Sequence, residues 1–298
     1  MKMKKVIGII LAIITIIGCV FAFTACGSKS VAIGVQAGTT GEAFVKGDAD
    51  WGFTGIPNSK VSSYETIGLA VNDIKNGNIN YAVVDKSVAE TLVENNKDLI
   101  KMIDVDLTVE KYAIGISKNK DSLKAQINTI IASLKTSGVL DDIYDAYDSK
   151  KIGVSEDEST ANAPAESTGY VGVTSGNSSA EKKLIVATNA AFAPYEYKIG
   201  NKFYGIDMEI AKIIANQLGY ELIINDMEFS AVVTAVQTGD ADLAIACLTV
   251  NAAREKSVNF TDAYEEGAAQ VLIVKKSDTA FDACKTTEDV MNVFKNMK

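Results

Sequence analysis

One pattern, met twice in the chain, constrains what it can fold into. Short β-rich runs alternate with helical stretches over residues 31–149, and the same alternation resumes from Leu184 onward. The first half offers strands at 31–35, 81–84 and 112–117, each followed by a helix: from Thr40, from Ser87 and over 122–137. The second half offers strands at 184–188, 221–224, 243–246 and 271–274, with helices over 207–218 and 230–238. Near-continuous apolar strands interleaved with helices predict an α/β fold. Residues 148–182 break the pattern. They are rich in Ser, Thr, Ala, Gly and Glu, carry Pro164 and hold almost no large apolar side chain, so a flexible linker is expected there. At 298 residues the chain has room for two compact units.

An internal echo suggests that the two are built alike. Residues 69–77 followed by a strand from Asn80 match residues 231–239 followed by one from Ala241. In each, a helix ends at a glycine suited to a left-handed C-cap, Gly77 or Gly239. Residues 286–294 read as a last amphipathic helix.

Composition removes whole classes of function. Lys plus Arg number 29 against 38 Asp plus Glu, a net charge of −9, with no basic block to follow a phosphate backbone. No nucleic-acid partner is expected. The chain has no histidine, which removes Ser-His-Asp and Cys-His nucleophile systems and every His-containing zinc site. It has a single arginine, Arg254, so the one rigid fork that can hold a carboxylate bidentately is placed once.

The N-terminus predicts export. Lys2, Lys4 and Lys5 precede an apolar run over 6–25, the pattern of a secretory signal, although twenty uncharged residues left in place could also span a bilayer. The run ends in Phe23-Thr24-Ala25-Cys26-Gly27-Ser28, which resembles a bacterial lipobox and implies a signal peptide at 1–25, lipidation of Cys26 and a tether at 26–30. Cys19 is a weaker candidate because apolar residues follow it. The expected location is outside the cytoplasm, anchored to the outer face of the membrane. Cys247 and Cys284 fall in different predicted lobes and are expected to be free thiols.

A family resemblance emerges from motifs in both halves. Thr188-Asn-Ala-Ala-Phe-Ala-Pro-Tyr-Glu-Tyr197, Gly205-Ile-Asp207, Asp226-Met-Glu-Phe229 and Cys247-Leu-Thr-Val-Asn-Ala-Ala-Arg254 resemble the lobe 1 motifs of solute-binding proteins of bacterial ABC importers for polar amino acids, the family-3 extracellular type. Gly34-Val-Gln-Ala-Gly-Thr-Thr40 and Val83-Val-Asp85 resemble that family's lobe 2 motifs. The resemblance implies a two-lobed, type II periplasmic-binding-protein-like α/β fold with a ligand cleft between the lobes. The order is reversed, and joining residue 298 to residue 31 restores it, so a circular permutation is expected. Lobe 2 would take 31–111, lobe 1 would take 112–147 and 183–273, and residues 274–298 would form the hinge and the start of lobe 2.

The resemblance also implies a site. A free amino acid presents a carboxylate and an ammonium. Arg254 would clamp the carboxylate with help from Thr249 and the backbone N–H groups of the short helix beginning after Asn251, and Leu248 belongs to the same ligand-binding set. Gln36, Thr39 and Thr40 would approach from lobe 2, where Thr39-Thr-Gly-Glu42 reads as a capping box. Asp85 would accept the ammonium, with the carbonyl of Cys247 beside it, and Phe192 and Phe229 would sandwich the ligand side chain. Asn189 stands where several family members carry an acid, which favours a polar, uncharged cargo. Trp51, the only tryptophan, has no assignment. No catalysis, cofactor or metal is expected. The partners implied are a free polar amino acid, an ABC permease and a membrane reached through lipid, with the protein a monomer. The alternatives are a dehydratase-like enzyme using Glu196 or Glu228 as general acid, a ligand-sensing or interaction lipoprotein, and a dimer with exchanged segments.

Overall fold

The computed structural model describes residues 30–152, 161–176 and 180–297. Residues 31–297 form one compact unit. The signal and lipidation readings, Cys19 and Cys26 included, lie outside the described residues.

Two five-stranded sheets organise the unit. Lobe 2 is built on the order β2 (Ser59–Tyr64), β1 (Val31–Gln36), β3 (Tyr81–Asp85), β15 (Gln270–Lys275), β4 (Ile100–Ile103). Lobe 1 is built on β11 (Glu221–Asp226), β7 (Lys183–Thr188), β12 (Leu243–Ala244), β6 (Gly115–Ile116), β13 (Asn259–Phe260). In lobe 2, β1 runs parallel to β2 and β3, whereas β15 is antiparallel to both of its neighbours. In lobe 1, β7 runs parallel to β11 and β12, whereas β6 is antiparallel to both of its neighbours. Each reversed strand is the first that the chain reaches after crossing from the other lobe.

Those crossings lie side by side. The chain leaves lobe 2 after β4 and passes through β5 (Glu110–Tyr112) into β6. It leaves lobe 1 after β13 and passes through β14 (Glu265–Ala268) into β15. β5 and β14 pair antiparallel as a two-stranded ribbon. Residues 112–117 therefore do not form one strand: the ribbon ends at Tyr112 and the lobe 1 sheet begins at Gly115. The hinge also falls earlier than the sequence suggested. Residues 271–273, expected in lobe 1, lie in the lobe 2 sheet, where β15 sits between β3 and β4 with Gln270 to Val274 buried. A fully apolar run fits the middle of either sheet, so pairing across 185 residues of chain decides its place rather than local pattern.

The expected helices form. Helices Ile67–Asn76 and Phe229–Thr238 both end on glycines in the left-handed region, Gly77 at φ 79° and Gly239 at φ 89°. The last helix, Thr287–Asn296, starts at a capping box between Thr286 and Asp289, and its end packs beside the start of β1. Asn58 Nδ2 donates to the Lys295 carbonyl at 2.9 Å, and the Asn58 carbonyl accepts the Val31 N–H at 2.8 Å.

The described parts of 148–182 are packed on the folded unit rather than free. Ile152, Ala161 and Val173 are buried in a core cluster that holds residues of both lobes, and the short helix Ser149–Ile152 lies against helix Lys86–Asn95 of lobe 2. Val173 exchanges two backbone hydrogen bonds with Phe203 (2.7 and 2.9 Å), and Tyr197 donates to the Asn162 carbonyl (2.8 Å). The small residues that read as linker are what lets this backbone lie flat on aromatic faces: a Cβ on Gly172 would stand 2.5 Å from the Tyr204 ring. β8 (Ala191–Phe192), β9 (Glu196–Ile199) and β10 (Lys202–Tyr204) form a small antiparallel sheet leading to helix Ile206–Leu218.

Between that sheet and the helix stands Gly205, at φ 118°, where a Cβ would fall 2.0 Å from the Tyr195 carbonyl oxygen. Gly205→Ala is expected to destabilise the fold by more than about 2 kcal/mol. Chemical denaturation of the variant checks this, and wild-type stability would refute it.

Candidate ligand site between the lobes

Two short helices face one another across the cleft. On lobe 2, helix Thr40–Lys46 begins at Thr39, whose hydroxyl accepts the Glu42 N–H (3.3 Å) and donates to the Gln36 carbonyl (2.7 Å). The expected capping box forms only by half. Glu42 reaches the N–H of Gly38 (2.7 Å) instead of that of Thr39 and also accepts from Ser63. On lobe 1, helix Ala252–Glu255 begins at Asn251, whose side chain accepts the Arg254 N–H at 2.9 Å. These caps hold Thr40 and Arg254 toward each other.

Arg254 is buried, with 7% of its surface exposed. Its guanidinium donates through Nη1 to the Thr249 carbonyl (3.0 Å) on its own lobe and through Nη2 to the Gly38 carbonyl (3.2 Å) on the other. Its carbon Cζ lies 4.9 Å from the Trp51 ring centre and 5.4 Å from that of Phe229. Burial pulls its pKa down to about 10, while Glu110 and Asp85 act the other way, so it stays charged at neutral pH. Phe229, expected against a ligand side chain, thus stacks on the arginine. Phe192 is buried in the core cluster with Tyr195 and Tyr197.

Polar contacts link the lobes at two further places. Gln36 Nε2 donates to Asn189 Oδ1 (2.8 Å), and Asn189 Nδ2 donates to the Met227 carbonyl (2.8 Å). Thr40 donates to the Thr249 hydroxyl (3.0 Å), which donates to Glu110 (2.5 Å). The other oxygen of Glu110 accepts from Thr108. Leu248 is fully buried in the lobe 1 core, and its carbonyl accepts the Ala113 N–H (3.1 Å). Asp85 precedes helix Lys86–Asn95 without capping it by its side chain; its carboxylate accepts the Tyr112 hydroxyl in a short hydrogen bond. Burial, reinforced by Glu110, raises Asp85 to about 7.

Beneath this layer lies a second acidic group. Cys247, at φ 48°, donates its N–H to Asp207 (2.9 Å) and its thiol to Glu196 (3.6 Å). The donor atoms of the three lie within 4.8 Å of one another. Burial raises Asp207 to about 7, and burial together with Asp207 raises Glu196 well above its ordinary value, so the carboxyl pair retains a proton. Glu196 has no exposed surface, and Glu228 is exposed at the N-terminus of helix Phe229–Thr238. Cys247 and Cys284 are both free.

The sequence reading missed Glu110, Tyr112 and the role of Trp51. Glu110 and Tyr112 lie in the crossing ribbon, where local pattern misleads: Val109 is 90% exposed and Glu110 is 7% exposed. Only the β5–β14 pairing turns the acid inward.

A cleft between two α/β lobes joined by paired crossings, with one buried arginine opposite a buried aspartate, defines a two-lobed binding-protein architecture. Residues 184–298 match the family described as bacterial extracellular solute-binding proteins, family 3, and the resemblance read from the motifs holds for that part of the chain. Among curated relatives, the arginine-binding extracellular protein ArtP of Bacillus subtilis (strain 168) is 39% identical over 111 residues, 37% of this chain and 43% of that protein. A probable histidine-binding protein of Neisseria gonorrhoeae is 28% identical over 123 residues, 41% of this chain and 44% of that protein. The chain thus spans less than half the length of the curated relatives it matches. Among solved structures, the arginine-bound form of domain 1 from TmArgBP is 31% identical, covering 38% of this chain and 90% of that one, with a TM-score of 0.28.

The buried carboxyls predict a pH dependence. Below about 4 both folded and unfolded chains hold these protons. Between about 4 and about 7 the unfolded chain releases protons that folded Asp85 and Asp207 keep, so stability falls as pH rises, and above about 7 the difference is constant. Denaturation of the ligand-free protein from about pH 5 to about pH 8 is expected to show this decline, with a shallower slope in Asp207→Asn. A flat profile in the wild type would refute it.

Proposed function

We propose that this protein is an extracytoplasmic solute-binding lipoprotein that captures a free polar amino acid between its lobes and delivers it to an ABC importer, without catalysing a reaction. The observation that carries this reading is the placement of the chain's single arginine. Arg254 is buried and charged at the lobe interface, with Asp85 on the opposite lobe. A zwitterion supplies the complement of each: its carboxylate for Arg254 and its ammonium for Asp85. Thr249, Thr40, Thr39 and Gln36 surround this axis, and Gln36 Oε1 is buried without a partner. The similarity to an arginine-binding protein and to a probable histidine-binding protein supports an amino acid as cargo.

Closure follows from dividing the contacts between the lobes. A ligand that touches Arg254 on one and Asp85 on the other binds the closed state better and shifts the population toward it. We further propose that the chain is a circular permutation of the family order. Both halves contribute strands to both sheets, and the end of helix Thr287–Asn296 meets the start of β1 through Asn58.

Calorimetric titration of the protein, stripped of bound ligand by unfolding and refolding, against the twenty amino acids and cystine is expected to show one-to-one binding of one or a few polar members. Arg254→Ala is expected to lose about 2 to 5 kcal/mol of that binding, because a buried carboxylate is left unpaired. Silence across the panel from folded protein would overturn the reading in favour of a sensor or interaction role.

A further inference from the structure

Residues 47–55 form a closed loop on lobe 2. Its neck is pinched by two glycines with positive φ, Gly47 at 81° and Gly55 at 83°, packed so tightly that a Cβ on Gly47 would stand 2.9 Å from Gly55 N. The Ile56 N–H donates to the Val45 carbonyl at 3.0 Å and closes the base. Inside, Asp48 caps the single 3-10 turn Ala49–Trp51, and Gly52 ends it in the left-handed region. Phe53 packs edge-on against Phe44 of helix Thr40–Lys46, with ring centres 5.4 Å apart. The loop is thus anchored at its neck and at one aromatic contact, and its turn projects toward lobe 1.

What the turn meets there is the helix that carries Arg254. Trp51 covers one side of the guanidinium (4.9 Å) while Phe229 of lobe 1 covers another (5.4 Å). Asp50 reaches Lys256 on the same helix at 3.2 Å, and the Gly38 carbonyl of lobe 2 takes one guanidinium N–H. Lobe 1 alone therefore gives Arg254 one aromatic neighbour and one carbonyl. Both are doubled only when lobe 2 arrives.

We propose that Trp51 is a positioning residue of the ligand site, its indole completing on lobe closure an aromatic sandwich that fixes the Arg254 guanidinium for the ligand carboxylate. This rests on the amino-acid-binding reading above. A guanidinium held by faces on both lobes keeps its plane and loses less freedom when it engages a carboxylate. The contact favours the closed state, so its loss speeds ligand escape more than it slows capture.

The test uses the whole protein with L-arginine, L-histidine and L-glutamine as probes, and reads affinity, dissociation rate and fluorescence. Trp51→Leu is expected to weaken binding of the responding amino acid about tenfold, mostly through faster dissociation, and Trp51→Phe to recover most of it. Leu keeps bulk without a π face, so recovery by Phe separates stacking from mere packing. Because Trp51 is the chain's only tryptophan, wild-type emission is expected to shift to the blue and lose acrylamide quenching when ligand is added, and Arg254→Met is expected to abolish the shift. Wild-type affinity and dissociation in Trp51→Leu, or emission indifferent to a ligand that calorimetry shows bound, would overturn the role of Trp51 and leave the binding function standing. Silence of the wild type to the whole amino-acid panel would overturn the binding function and this role with it. Should Trp51→Leu fail to fold, the wild-type emission and the Trp51→Phe dissociation rate still decide.

Discussion

The structure between the lobes is organised around one buried positive charge. Taking a guanidinium out of water costs several kcal/mol unless its donors and its charge are met. Arg254 is met from every side: carbonyls at Thr249 and Gly38, rings at Trp51 and Phe229, and the charges of Glu110 and Asp85 nearby. Half of those partners belong to the other lobe. The interaction that places the charge is therefore also the interaction that ties the lobes together, and opening the cleft must rehydrate Arg254 as it breaks these contacts.

The topology makes such opening mechanically simple. Among the described residues two strands cross from lobe to lobe, and they pair with each other as β5 and β14. A ribbon of two antiparallel strands can twist and bend about its length while each five-stranded sheet stays intact, which is the geometry of a hinge. The same ribbon carries Glu110 and Tyr112 into the site, where they hold Thr249 and Asp85. Bending of this ribbon would thus move Glu110 and Tyr112 relative to their partners Thr249 and Asp85.

How much of this was legible in the sequence depends on the range of the interaction. Helices with apolar faces and glycine C-caps were readable, because propensity, period and the left-handed requirement at Gly77 and Gly239 are local. Thr40, Thr249, Gln36 and Asn189, picked out by the motif resemblance, meet across the lobes. What local reading misplaced was set by distant pairing. β15 went to the wrong lobe because an apolar strand suits either sheet, and the polar stretch after Ser149 looked free because its small residues hide the aromatic floor they pack on. Trp51 carried no signal because its partner lies about 200 residues away, brought near by a loop neck of two glycines.

The buried acids between the lobes resist full ionisation. Burial, reinforced by the nearby Glu110, raises Asp85, and burial together with Asp207 raises Glu196. Arg254 provides one positive charge for this region, and Lys residues stay at the surface. A ligand ammonium entering beside Asp85 would supply the missing cation and lower that carboxyl's pKa, releasing its proton as it binds. The lower pair is placed differently: Asp207 accepts the Cys247 N–H and so helps hold the Cys247-Leu248-Thr249 loop in the strained backbone from which the Thr249 carbonyl meets Arg254.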